Sequence, residues 1–335
     1  MQAMVVQPIT ARALTPADLP QVVAIDALIE GRSRRNYVER RLAAARRDPT
    51  LHAQFAVTDD RGLAGYIMAR VLEGEFGGDE RMLRLEMVGV RPDTQGHGVG
   101  RSLFDALAHW AQRHGIGELR TSARWNDAAM LRWLNAVGFV LAPSYIIDCA
   151  VDGGAYLAQR DAMHAKGALD GDRELDFSDA AGNDFERLAR DSSEVHSMRV
   201  ADLSDIVRID RDITGRDRSA YMQAKLAEAI DDSSLRLSLA AQCDSVNVGY
   251  LMARVDRGDY GRTEPVAIID TLGVAPDYAR RGIGRALLSQ LFVNLGALRV
   301  ERVETLVDPR NQALLGFFFA VGFAPAQRLP FLRRL

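Results

Sequence analysis

The sequence predicts an α/β protein made of two copies of one domain, each a mixed sheet layered against helices. Three observations carry this. Segments recur at one fixed spacing of 184 residues. GYIMARV at 65–71 returns as GYLMARV at 249–255, GVRPDTQGHGVGRSL at 89–103 as GVAPDYARRGIGRAL at 273–287, and AVGF at 136–139 again at 320–323. DLPQVVAID at 18–26 likewise returns as DLSDIVRID at 202–210. Within each copy, short apolar strand patterns alternate with helical ones. Each copy also runs from an extended strand into a glycine-rich loop and then a long amphipathic helix.

The repeat sets the organisation. Residues 12–151 overlay 196–335 without a gap, with about three positions in ten identical. This gives an N-terminal domain at 1–151, a joining segment at 152–195 and a C-terminal domain at 196–335. The joining segment holds Gly153-Gly154, an acidic run at 170–176 and Gly182-Asn183, and reads as a linker with one short helix near 184–190.

Within the first copy, Thr15-Pro16-Ala17-Asp18 signals a helix start, with a capping residue, a proline for the first turn and an acid three residues on. Leu19, Val22, Val23 and Ile25 continue at helical spacing to Gly31. A second helix covers about 34–47. Strands follow at about 52–58, 64–72 and 82–90, the first two joined by the turn Asp59-Asp60-Arg61-Gly62. A helix from near Gly98 places Leu103, Leu107 and Trp110 on one face. A strand at 118–123, a helix at 127–136 and strands near 138–142 and 145–151 complete the copy, and the second copy reads alike.

Composition narrows the function classes. The 335 residues are 47% hydrophobic and 26% charged, with net charge −3 and a pI near 6.1. Attraction to nucleic acid or to an anionic membrane is not expected from such a chain. Two cysteines, Cys149 and Cys243, exclude a disulfide framework and a four-cysteine zinc site, and suit a reducing cytoplasm. They are not equivalent between the copies, which argues against catalysis by either. His109 and His114 lie five apart on a helix and do not share a face, so no metal site is expected. The N-terminus carries no leader pattern, and no run reaches the ~18 apolar residues of a membrane span. Of 42 basic residues only Lys166 and Lys225 are lysine, and neither sits in a motif.

The glycine loops carry the chemistry. The first closes with Gly96-His97-Gly98-Val99-Gly100-Arg101, the second with Arg280-Arg281-Gly282-Ile283-Gly284-Arg285. Glycines let a ligand approach the backbone, and the unpaired first N–H groups of the following helix favour phosphate or pyrophosphate. The side chains of Arg101, Arg280, Arg281 and Arg285 add charge. His97 reads as a spacer whose backbone alone acts. A Walker loop is excluded because neither copy has its lysine. A dinucleotide fingerprint is excluded because the spacing is G-x-G-x-G and the loop follows a third or fourth strand.

The pattern V-x-P-x-x-[QR]-x-x-G-x-[GA] between a strand and a helix resembles the acyl-CoA signature of the GNAT N-acetyltransferase superfamily. The N-x-x-A…G-F segments near 126–139 and 311–323 are similar to that family's later helix and strand. The resemblance covers both copies and implies two GNAT-type folds, each a mixed, mostly antiparallel sheet flanked by helices. It implies acetyl-CoA or another acyl-CoA as cofactor, with pyrophosphate on the N–H groups of 96–101 and 280–285. Pantetheine would pair like an added strand with Val88, Gly89 and Val90, or with Leu272, Gly273 and Val274. Gln95, Gly98 and Gly100 match the family positions, as do Gly282 and Gly284, while Ala279 replaces the usual Gln or Arg. Asn126 and Asn311 open the later segments and are assigned to the cofactor site with them.

The implied reaction moves an acetyl group to an amine of a small molecule or peptide by direct attack in a ternary complex. The alternative is a CoA-binding or structural protein in which one or both copies lack turnover. An alkylamine is mostly protonated at neutral pH, so a general base helps. Glu86 and Asp270 are equivalent positions that alternate in phase with Val88/Val90 and Leu272/Val274, and are the expected catalytic bases. Glu75 and Asp259 in the preceding loops are runners-up. The tyrosine that the family often uses as acid falls here on Leu134 and Phe318, so both copies depart from the pattern. Residues 28–50, which in the resembled family border the acceptor, hold seven arginines against three acids, whereas 212–234 holds three cations against five acids. This asymmetry suggests an anionic group on an acceptor at the first copy.

Overall fold

The structure is a computed structural model that describes residues 10–72, 74, 76, 80–151, 193–231, 237–256, 258, 262 and 264–335. The linker helix expected near 184–190, and Glu75 and Asp259, lie outside the described residues.

The first copy opens with strand β1 (Ala11–Ala13) and a single tight turn over Pro16–Asp18 that leads into helix α1 (Leu19–Glu30). The Asp18 carboxylate accepts from the Thr15 backbone N–H at 2.8 Å and its hydroxyl at 2.9 Å, and Arg12 holds it from β1. Gly31 closes α1 at φ +76°, a left-handed cap suited to glycine. Helix α2 (Arg35–Arg47) follows. Strands β2 (His52–Asp59), β3 (Gly62–Leu72) and β4 (Met82–Val90) form an antiparallel meander, with Asp59 accepting from the Arg61 N–H in the first turn. Helix α3 (Val99–Arg113) crosses to strand β5 (Glu118–Arg124), which runs parallel to β4. Helix α4 (Ala128–Ala136) and two strands, β6 (Val140–Leu141) and β7 (Tyr145–Ala150), complete the copy.

The second copy repeats this order. It has β8 (Glu194–Ser197), α5 (Leu203–Thr214), α6 (Ser219–Asp231), β9 (Leu239–Cys243), β10 (Val246–Asp256) and β11 (Val266–Val274). Then come α7 (Ile283–Ala297), β12 (Arg302–Val307), α8 (Gln312–Ala320), β13 (Ala324–Pro325) and β14 (Arg328–Arg334). The β8 strand begins two residues inside the segment read as linker, because its pairing with β9 runs from Glu194.

The described strands form two seven-stranded sheets, β1-β2-β3-β4-β5-β14-β6 and β13-β7-β12-β11-β10-β9-β8. The copies exchange strands. β14 of the second copy lies between β5 and β6 of the first, and β7 of the first lies between β12 and β13 of the second. The exchange is built into both cores: Phe331 packs with Leu103, Phe104 and Leu119, while Ile147 and Cys149 pack with Leu291 and Val303. Each sheet has α3 and α4, or α7 and α8, over one face. The other face carries α1 and α2, or α5 and α6, around Tyr66 and Tyr250.

Candidate active site

The sheets part where the glycine loops lie. β4 and β5 pair only at Leu83↔Leu119 and Arg84↔Arg120, and then diverge. β11 and β12 pair at three positions ending Ile269↔Thr305. At each fork a threonine hydroxyl donates to the last carbonyl: Thr121 to Leu85 at 3.1 Å and Thr305 to Ile269 at 2.9 Å. Beyond the fork Val88, Gly89 and Val90 pair with β3 on one edge and, among the described residues, have no partner strand on the other. Leu272, Gly273 and Val274 stand likewise. Such an edge offers its N–H and C=O groups to an extended ligand.

A one-residue bulge interrupts each central strand at the fork. Met68 faces Met87 and Ala69 faces Leu85, which leaves Glu86 as the extra residue. Asp270 is the extra residue between Thr271 and Ile269. The bulge shifts the alternation. Val88 and Val90 pack toward α3, whereas Glu86 turns to α2, so the expected common phase of Glu86 with Val88/Val90 does not hold.

Glu86 is 2% exposed and ion-paired with Arg41 of α2 at 2.9 Å and Arg70 of β3 at 2.7 Å. Asp270 is held by Arg254 at 2.5 Å, with Lys225 at 3.9 Å. Burial would raise the Asp270 carboxyl, but the positive charges of Arg254 and Lys225 outweigh it and hold it below the usual carboxylate range. A buried carboxylate already engaged by cations is a poor proton acceptor. This arrangement therefore gives Glu86 and Asp270 a structural reason for their charge that the sequence reading lacked.

Those cations escaped that reading. Arg41 and Lys225 are equivalent, as are Arg70 and Arg254, so the 184-residue spacing carried the signal. Lys225, which sits in no sequence motif, belongs to this cluster. A second equivalent cluster lies behind each cleft. Tyr66 donates to Asp26 at 3.0 Å and Arg34 clamps the same carboxylate; Tyr250 donates to Asp210 at 2.8 Å and Arg218 clamps that one. Burial pushes both tyrosine hydroxyls above their ordinary value, with the adjacent carboxylate adding to it. Each tyrosine ring fills the space beside a strand glycine: a Cβ on Gly89 would lie 2.5 Å from Tyr66, and one on Gly273 2.5 Å from Tyr250. Much of the arginine surplus at 28–50 is thus structural, with Arg34 on Asp26, Arg41 on Glu86 and Arg32 on Glu264.

The loops differ in two respects. Gly96 and Gly98 have φ +79° and +90°, and nothing lies within 4 Å of the place of a Cβ at Gly96. In the second loop Gly282 has φ +85°, but the counterpart of Gly96 is Arg280, held at φ +66°. Gln95 donates to the Val90 carbonyl at 3.1 Å and ties the first loop to β4, a bond that Ala279 cannot make. His97 is exposed. Helix α3 starts at Val99 with the Gly98 carbonyl accepting from Arg101 and Ser102. The N–H groups of Val99 and Gly100 precede these bonds and face the loop, with Gly100 set against Trp133; in the second copy Ile283 and Gly284 stand likewise, with Gly284 against Phe317.

The loop arginines take other partners. Arg101 turns to the Ala136 carbonyl and Asp105, and Arg281 lies over the Tyr278 ring at 4.9 Å. Arg285 follows Gly284 in the first turn of α7. Asn311 caps α8 by accepting from the Leu314 N–H at 3.1 Å, the role Asp127 plays for α4, while Asn126 is exposed one position earlier. Leu134 and Phe318, at the family's acid position, are both buried in the cores. Among the described residues no helix is long and apolar enough to cross a membrane, and no metal-ligating cluster is present.

Comparison with known proteins agrees with this geometry. The model of the Acetyltransferase (GNAT) family matches residues 21–139 and 203–323. A mycothiol acetyltransferase of Rhodococcus opacus (strain B4) is 33% identical over 107 residues. That match spans 31% of this chain and 34% of the relative, so the chain covers about a third of the curated protein it resembles. Among solved structures, a tandem GNAT protein from the clavulanic acid biosynthesis pathway superposes with TM-score 0.63 at 14% identity, covering 97% of this chain and 98% of that one. A GCN5-related N-acetyltransferase from Sphaerobacter thermophilus gives TM-score 0.59 at 17% identity, covering 97% and 95%. The GCN5-related glucosamine N-acetyltransferase region of a fungal multi-domain β-N-acetylglucosaminidase gives 0.65 at 14%, covering 98% of this chain and 38% of that one. At such identities the superpositions show the fold alone. With both copies matched over most of their length, the chain belongs to the Acetyltransferase (GNAT) family.

Proposed function

We propose that this chain is an acetyl-CoA-dependent N-acetyltransferase acting on an amine of a small molecule or peptide, in the cytoplasm, and that its first copy holds the better-formed cofactor cleft. The observation that carries the reading is the edge of β4 at Val88–Val90 that no described strand pairs, set beside a loop in which the place of a Gly96 Cβ is open. Bound acetyl-CoA would supply the activated acyl thioester. The chain's own groups would do the rest. N–H groups at 98–100 would receive pyrophosphate, the β4 edge would align pantetheine, and a backbone N–H at the bulge would polarise the thioester carbonyl. A neutral amine would attack that carbonyl, with the C–N bond forming, the C–S bond breaking and the thiolate leaving. The amine proton passes to solvent.

In this reading Glu86 shapes the bulge through Arg41 and Arg70 rather than taking the proton itself. No side chain is needed as acid, since a thiol of pKa ~8.5 is a fair leaving group. The buried Leu134 and Phe318 favour a second reading, a CoA-binding protein without turnover. Isothermal titration with acetyl-CoA tests the first claim, with one or two sites per chain expected and no binding overturning it. Thiol release over a panel of amines separates the two readings. Gly98→Glu and Gly282→Glu, made separately, assign the loop, and unchanged affinity in both would refute the loop assignment.

A further inference from the structure

The first fork contains a side chain from the other copy. In β5 the odd positions aim their backbone groups at β14, since the Trp125 N–H donates to the Gln327 carbonyl and Gly117 accepts from Leu335. The Ser122 carbonyl therefore aims the opposite way, into the gap from which β4 has turned after Arg84↔Arg120. No described strand reaches it there. Arg328 does: its Nη2 donates to the Ser122 carbonyl at 3.0 Å and its Nε to the Ser122 hydroxyl at 3.1 Å. Arg328 is 8% exposed, and it lies on the Glu86 side of the sheet, because its neighbours Leu329 and Phe331 face the α3 core. Ser122 adjoins Thr121, the residue that closes the fork on Leu85. The second cleft lacks this pair of residues. The counterpart of Arg328 is Ser144 and that of Ser122 is Leu306.

We propose that Arg328, carried into the first sheet by exchanged strand β14, is a positioning residue of the first cofactor cleft, which the second copy thereby completes. This rests on the acetyl-CoA reading above. The guanidinium holds Ser122 by its carbonyl and its hydroxyl, and so satisfies a strand carbonyl that would otherwise be free to pair across the gap, which keeps the fork open to an inserted ligand. The second copy thus supports acetyl-CoA binding at the first loop whether or not its own loop is occupied.

The test uses the full chain carrying Gly282→Glu, so that titration reads the first loop. Arg328→Ala should weaken acetyl-CoA binding about ten-fold, the scale of losing a charged hydrogen bond. Ethylguanidinium at millimolar concentration should restore much of it, a rescue that a general loss of folding would not show. Arg328→Lys, which keeps the charge but loses the fork, should fall between and serves if the alanine variant fails to fold. Hydrogen exchange in the peptide spanning 118–124 should accelerate in both variants while the 302–307 peptide stays unchanged. Unaltered affinity together with unaltered exchange overturns the proposal. If the parent binds no acetyl-CoA, the functional reading fails, and the exchange arm still decides whether Arg328 braces the fork.

Discussion

Arg34 and Asp26 form a buried pair in which the Arg34 Nε donates to Asp26 at 2.9 Å while the same guanidinium reaches the Gly258 carbonyl of the second copy. The pair therefore joins the α1 cluster behind the first cleft to the loop after β10. Asp26→Ala would leave a buried arginine without its counter-charge and take the acceptor from Tyr66. It should lower unfolding free energy by about 3–5 kcal/mol, the usual result of removing one partner from a buried pair. Urea denaturation of the purified chain reads this, and a loss under ~1 kcal/mol would show that the pair is not buried in solution.

Glu86→Gln distinguishes an ion-pair role from a base. It leaves Arg41 and Arg70 facing a neutral amide, so stability should fall by about 3 kcal/mol while the apparent pKa of the kcat/KM profile stays in place. A base would give the reverse pattern, with stability kept and the pH-dependent limb lost.

Arg280→Gly should stabilise the chain by about 1 kcal/mol, because a residue with a Cβ is costly at left-handed φ and Arg280 stands at +66°. Gly96→Arg should cost a similar ~1 kcal/mol, since the place of its Cβ is open and only the backbone resists. Equal stabilities for Arg280→Gly and the parent would mean that the arginine side chain makes up the backbone cost.

His52 should make stability depend on pH. Burial first, then the charges of Arg41 and Arg70, lower its pKa from 6.5 to about 4. Between those values the unfolded chain binds the proton and the folded chain does not, so stability falls as pH drops through 6.5 toward 4. His52→Gln should flatten that part of the curve in thermal melts taken from pH 7 to pH 4. A slope unchanged in the variant would assign the dependence to other groups.

Cutting the chain between the copies should not separate them. With a protease site placed in 152–192, the two fragments should co-elute in size exclusion after cleavage and part only in denaturant. Fragments that separate in native buffer would mean that β7 and β14 return to their own copies.

Much of the fold was legible in the sequence because helices and strands write their periods locally. Leu103, Leu107 and Trp110 marked α3, and Thr15-Pro16 marked the start of the first helical segment. The strand exchange was not legible for a specific reason: β7 and β14 are equivalent under the repeat, so Ile147 and Phe331 suit either core. The bulges were hidden as well. Nothing in LRLEMVGV says that Glu86 is an extra residue, and a single such residue moved it to the α2 face. The glycine loops were legible because left-handed backbone there selects glycine, at Gly96, Gly98 and Gly282. Arg280 breaks that rule and showed its conformation only in three dimensions. The ion pairs of Glu86 and Asp270 join positions distant in sequence, and only the matched charges at 41/225, 70/254 and 86/270 hinted at them.

The exchanged strand also sets a clock on synthesis. β14 is made roughly two hundred residues after β5, a delay on the order of 10–40 s at ~5–20 residues per second. Until it arrives, β5 and β6 lack the strand that pairs with both of them in the folded chain. The nascent first copy must wait with that slot open, or fill it for a time with its own β7. A chaperone that shields open strand edges would then matter most during the interval in which the second copy is being translated.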